Sequence, residues 1–118
     1  MLVGYARVST DDQNLDLQYD ALKQGGCEKI YEDRLSGARA ERPGLAMALE
    51  VLRAGDILVV WRLDRLGRSL KDLIALVELL EARRIGLKSL HENVDTTSSG
   101  GKLVFHLVIF RSQPHGMA

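Results

Sequence analysis

Cationic side chains gather where this sequence starts its helices. Arg7 ends an apolar run just ahead of Ser9-Thr10-Asp11-Asp12-Gln13, Arg42 directly precedes Pro43, and Arg65 and Arg68 precede Ser69. The first N–H groups of a helix lack partners and carry partial positive charge, so a cation there is unfavourable unless an anion joins it. Guanidinium forks match phosphate oxygens, and the pattern therefore predicts a bound phosphate. Surface bridges to Asp11, Asp12, Glu41 and Asp64 are the plainer account of any single arginine. Four arginines across three helix starts are harder to explain that way.

Ser9 lies two residues beyond Arg7, so in an extended strand both side chains leave one face and a hydroxyl stands beside the anion. A serine before a helix also suits an N-cap, although Thr10 with Gln13 already offers a capping box. A serine nucleophile needs its proton removed or its alkoxide stabilised. His91, His106 and His115 are all distant in sequence, which leaves stabilisation to the cationic cluster. Two roles fit Asp64: salt-bridge partner at a helix end, or proton carrier at a leaving oxygen.

Other chemistry has little local support. GxGxxG, GxxxxGK[ST] and HExxH are absent. Asp11, Asp12 and Asp64 resemble an acidic magnesium pocket, as in a phospho-receiver, but the neighbouring arginines favour an anion over a cation. Aromatics are 5% of the chain, too few for a stacking platform on single strands. The single cysteine, Cys27, excludes an internal disulfide and a CxxC metal cage and reads as a small buried apolar residue. No metal and no cofactor are expected.

The elements that must position these residues follow from composition and periodicity. At 118 residues the chain is expected to form one domain, and 46% hydrophobic with 27% charged residues is globular usage. Sixteen Lys and Arg balance sixteen Asp and Glu, so an anion site must be local rather than the property of a polycation. The longest apolar stretch, near Leu103 to Phe110, falls far short of a bilayer span, and the N-terminus lacks a signal-peptide layout. A soluble, cytoplasmic protein without a membrane partner is the expectation.

Leu2 to Val8 predicts a strand, and Leu15, Tyr19 and Leu22 predict a helix ending at Gly25-Gly26. Lys29 to Tyr31 predicts a short strand, and the polar Asp33 to Arg42 segment an exposed loop. A helix opens at Pro43, shows its apolar face at Leu45, Ala48, Leu49 and Leu52, and ends by Gly55-Asp56. Ile57 to Trp61, apolar throughout, predicts a central parallel strand covered on both faces. Ser69 and Asp72 open a helix whose Leu70, Leu73, Ile74, Val77 and Leu80 share a face. Leu76 and Leu79 widen that face, as burial between layers or contact with a partner subunit would. Leu87 to Leu90 predicts a fourth strand, Asn93 to Gly101 a polar loop, and the tail from Ser112 irregular chain. The alternating order predicts an α/β, three-layer domain: a mostly parallel central sheet of four to five strands flanked by helices. In such sheets Arg7 and Arg65/Arg68 share the crevice beyond the carboxyl ends of the strands.

Gly4-Tyr5-Ala6-Arg7-Val8-Ser9-Thr10 with Gln13 and Gln18, then Leu63-Asp64-Arg65-Leu66-Gly67-Arg68, resemble the catalytic domain of serine recombinases of the resolvase/invertase family. The segment from Asp33 to Pro43, with Ser36-Gly37 and Arg42, also looks like that family's mobile loop. The resemblance covers roughly residues 1–107; residues 108–118 read as a divergent tail, with no helix-turn-helix domain after them. It implies Ser9 as the nucleophile on a DNA phosphodiester, forming a covalent phosphoserine link and freeing a 3′-hydroxyl without metal or nucleotide. Arg7, Arg42, Arg65 and Arg68 would hold the phosphate, Asp64 would protonate the leaving oxygen, and Tyr5 and Gln18 would support the site. The implied partners are double-stranded DNA and further copies of the chain, as a dimer and, in synapsis, a tetramer. The rival expectation is a non-catalytic vestigial or regulatory fragment that retains the phosphate-binding fold.

Overall fold

The computed structural model describes residues 1–9, 15–35, 42–67 and 69–97, without the side chains of Ser9 and Leu35. Five strands form one sheet in the order β2-β1-β3-β4-β5: β1 Leu2–Ser9, β2 Lys29–Leu35, β3 Ile57–Val60, β4 Gly86–Ser89 and β5 Val94–Asp95. The first four are mutually parallel, and β5 closes one edge antiparallel to β4. Among the described residues three helices, α1 Leu15–Gln24, α2 Pro43–Val51 and α3 Leu70–Ala82, accompany the sheet in the α/β architecture expected from the sequence.

The period of two along a strand sorts the sheet's side chains into two cores. Val3 and Tyr5 of β1, with Leu58, Val60 and Leu87, pack against Leu45 and Ala48 of α2 and Leu73, Val77 and Leu80 of α3. Ala6 and Val59 face the other way, onto Leu22 with Leu15 and Tyr19 of α1. The sheet is therefore the middle layer. On α3, Leu76 packs at the core's margin while Leu79 is exposed, so burial between layers accounts for the first and not the second.

Ser69 caps α3 as its sequence predicts, its hydroxyl accepting from Asp72 N at 3.1 Å. Gly67 is needed just ahead of it, because a Cβ there would lie 2.6 Å from Leu73 Cβ.

Three sequence expectations are corrected. The second strand does not stop at Tyr31: β2 continues through Asp33, Arg34 and Leu35, in register with Arg7, Val8 and Ser9 of β1. Asp33 is thus not on an exposed loop but 4% exposed, its polarity satisfied by partners distant in sequence. Helix α2 ends at Val51 rather than running to Gly55, because Leu52 is already extended. Within the expected loop from Asn93, Val94–Asp95 pairs with β4, since Val94 is buried in the core. Residues 10–14, including the Thr10–Gln13 capping box, and residues 36–41 and 98–118 lie outside the described residues.

Candidate active site

Strands β1, β2 and β3 run parallel, so their carboxyl ends share one edge of the sheet. Arg7 and Ser9 end β1 there, Asp33 ends β2, and β3 leads into a single 3-10 turn, Leu63–Arg65, that carries Asp64 and Arg65. Arg42 arrives at the same edge as the residue before α2.

Arg7 is tied down by residues far along the chain. Its Nη2 donates to the carbonyl oxygens of Asp64 and, at 3.2 Å, Gly67. Its Nη1 is buried and has no hydrogen-bond partner among the described residues. Burial pushes the guanidinium below its ordinary pKa, and Arg42 and Arg65 push the same way, while Tyr5 and Asp64 oppose. An arginine stays charged through such a shift. The direction reflects a partly buried position near two further cations.

Gln18, fully buried on α1, fixes the backbone of Arg7. Pairing of β1 with β3 ends at Tyr5, and beyond it Gln18 Oε1 accepts from Arg7 N while its Nε2 donates to Arg7 O, both at 3.2 Å. Tyr5 lies on the same strand, two residues before Arg7, and its hydroxyl donates to Asp33 Oδ2 at 2.7 Å. Burial, then the hydrogen bond to Asp33 and that carboxylate's charge, raise the Tyr5 pKa well above the ordinary 10.0.

Asp33 was missed by sequence reasoning and is central. It accepts Gly44 N at 2.7 Å and Leu45 N at 3.0 Å, the first free amides of α2, where Arg42 itself supplies no side-chain cap. The anion predicted at this helix start is thus an internal carboxylate. Gly44 is required for the approach, because a Cβ there would fall 2.1 Å from Glu32 O. Arg42 is also compensated from within: it pairs with both carboxylate oxygens of Asp72 at 3.0 and 3.1 Å and donates to Leu66 O at 2.9 Å. A short-range signal existed for neither, since Asp72 is 30 residues from Arg42 and Asp33 is 11 residues from Gly44.

Asp64 is exposed, with Arg62 and Arg65 at 3.8 and 3.9 Å from its Oδ1. Arg62 also lies over the Trp61 ring, 5.7 Å from its centre. Arg7, Arg42, Arg65, Asp64, Tyr5 and Gln18 are therefore brought to one edge. Arg68 and the side chain of Ser9 lie outside the described residues, although the Ser9 backbone ends β1 two residues after Arg7. Among the described residues no group of three or more His, Cys, Asp and Glu is placed to hold a metal ion, and no helix is long and apolar enough to cross a membrane.

This arrangement has relatives. The family model for the resolvase N-terminal domain matches residues 2–113. The serine recombinase gin of Escherichia phage Mu is 57% identical over 108 residues, which are 92% of this chain and 56% of that protein. The transposon Tn552 DNA-invertase BinR of Staphylococcus aureus is 58% identical over 109 residues, 91% of this chain and 57% of that one. This chain therefore spans little more than half the length of the curated relatives it matches. Among solved structures, the N-terminal catalytic domain of TP901-1 integrase superposes with a TM-score of 0.75 at 31% identity, covering 93% of this chain and 91% of that one. A resolvase family site-specific recombinase from Streptococcus pneumoniae, at 18% identity, shares the fold with a TM-score of 0.69, covering 93% of this chain and 86% of that one. On the family match and these identities, the chain belongs to the resolvase/invertase family of serine recombinases, and its fold is that of their catalytic domain.

Proposed function

We propose that this chain is the catalytic domain of a site-specific DNA recombinase that cuts and rejoins double-stranded DNA through Ser9. The observation that carries the reading is Arg7: one guanidinium nitrogen is locked onto the turn of Asp64 and Gly67, and the other is buried without a partner among the described residues beside Arg42 and Arg65. Crowded, partly desolvated cations are costly alone and favourable around an anion, and their fork geometry suits phosphate oxygens. A phosphodiester seated there gains charge as its phosphorus becomes five-coordinate, so preformed cations lower the barrier without moving.

In this reading the Ser9 hydroxyl releases its proton to solvent as Oγ bonds to phosphorus, the bond from phosphorus to the 3′ oxygen breaks, and the leaving oxygen takes a proton in exchange. Asp64, exposed at the rim, is the group assigned to deliver it. Religation reverses the same steps, the phosphoserine bond conserving the energy of the cut. Arg68 is assigned to the phosphate with Arg7, Arg42 and Arg65, and no metal or cofactor is required. A homodimer, paired as a tetramer on two DNA sites in the cytoplasm, is the working assembly.

The test joins residues 1–107 to the C-terminal portion of the phage Mu relative and traps covalent protein–DNA adducts on that relative's site. Adduct formation by the fusion, lost with Ser9→Ala, is the expected result. Adduct that persists in Ser9→Ala overturns the assignment. No adduct in the parent fusion, with DNA binding intact, favours the vestigial reading.

A further inference from the structure

The turn that carries Asp64 and Arg65 is gripped from both ends by side chains of opposite charge. On its carbonyl side Arg7 donates to Asp64 O and Gly67 O, and Arg42 donates to Leu66 O. On its amide side the Leu63 N–H is shared by the two carboxylate oxygens of Glu92, each at 3.3 Å. The residue ahead of the turn gives no help there: Arg62 is extended and makes no side-chain cap. An anion on the free amide and cations on the free carbonyls complement the turn's dipole at both ends.

Glu92 is itself held in place. Ser89, a fully buried residue at the end of β4, donates its hydroxyl to Glu92 Oε1. The chain between them is tied to the end of β3 by Leu90 N to Val60 O at 3.0 Å and His91 N to Trp61 O at 2.8 Å. Leu63 is 5% exposed in the core, so its backbone is anchored by its side chain as well as by Glu92. The connection between β4 and β5 is in this way built onto the turn that carries two candidate site residues.

We infer that Glu92 is a positioning residue of the phosphate site: by holding the Leu63 amide it sets where the turn presents Asp64 and Arg65 beside Arg7. The inference rests on the phosphodiester reading above. Glu92 acts through the turn, by way of the Leu63 amide.

The test has two arms. In the 118-residue chain, amide hydrogen exchange at Leu63 should quicken by about tenfold or more in Glu92→Ala, while Leu58 to Val60 stay protected. Glu92→Gln, which keeps an oxygen acceptor at the same reach, should recover part of that protection, and it serves if the alanine variant fails to fold. In the fusion described above, Glu92→Ala should slow adduct formation at saturating DNA by roughly 100-fold, the scale of an ångström-sized misplacement, with DNA affinity unchanged. Glu92→Gln should fall between. Unchanged exchange at Leu63 in both variants, or a parental adduct rate in Glu92→Ala, overturns the inference. If the parent fusion forms no adduct, the recombinase reading fails, while exchange at Leu63 still decides whether Glu92 holds the turn.

Discussion

The Tyr5 hydroxyl donates to Asp33 Oδ2 at 2.7 Å inside the core, and the same carboxylate receives the first two amides of α2 from Gly44 and Leu45. One buried anion thereby joins β1, β2 and α2 just below the candidate site. Asp33→Ala strips partners from three donors at once and should cost roughly 3 kcal/mol or more, since each buried unpaired group costs about 1–3 kcal/mol. Tyr5→Phe removes one donor of three and should cost about 1–2 kcal/mol. Urea unfolding at neutral pH measures both. The pH dependence has a definite sign. Because the folded pKa of Tyr5 lies above 10.0, its contribution is complete below that pH and is lost as pH climbs beyond it toward the raised value. Tyr5→Phe should lack this alkaline loss.

Gln18 replaces a missing strand. Where β3 no longer accompanies β1, its amide group serves the N–H and C=O of Arg7 as a ladder partner would. Gln18→Leu keeps the bulk and deletes both bonds, at a cost of about 2 kcal/mol by chemical denaturation. The Arg7 amide should be the resonance most displaced in the variant.

Arg7→Lys should not preserve function. The guanidinium reaches two backbone carbonyls with Nη2 while its Nη1 has no hydrogen-bond partner among the described residues, whereas an ammonium is a single point charge. Adduct formation in the fusion should fall by about 100- to 1,000-fold, comparable to removing one preformed donor to a transition-state oxyanion. A phosphodiester titration followed by amide shifts should lose its response around Arg65 in the same variant.

Cys27 offers a check on the packing behind β1. It packs into the α1-side core, and its Sγ would lie 3.1 Å from a Cβ at Gly4. Burial pushes its pKa from 9.0 up to about 11, with Lys88 opposing weakly. The thiolate is the reactive form, so alkylation near pH 8 should be about 100-fold slower in the native chain than in urea. Equal rates would show that α1 does not cover the sheet there.

Much of the scaffold was legible because its signals are local. The apolar run Ile57 to Trp61 marked β3, the i, i+3, i+4 spacing from Leu70 with the Ser69 cap marked α3, and the β-α alternation implied a parallel sheet with its crevice at the strands' carboxyl ends. Arginines at helix starts pointed to the candidate site for a similar reason, since charge against a helix dipole is a conflict between near neighbours. Asp33 misled because polarity beside glycine and serine reads as loop, and the partners that make it a buried strand residue come from β1 and α2.

The sequence by itself determined the three helices, three of the five strands and which cations stand at the elements' ends, because periodicity and capping act within a few residues; it did not determine β5 or the full length of β2. Only the tertiary structure decided how those cations are compensated. Arg42 meets Asp72 30 positions away, Arg7 meets Gly67 60 away, and Glu92 meets Leu63 29 away. Such pairings depend on strand order and on which face of the sheet each helix covers, and a one-residue change of strand register would turn every side chain to the opposite face.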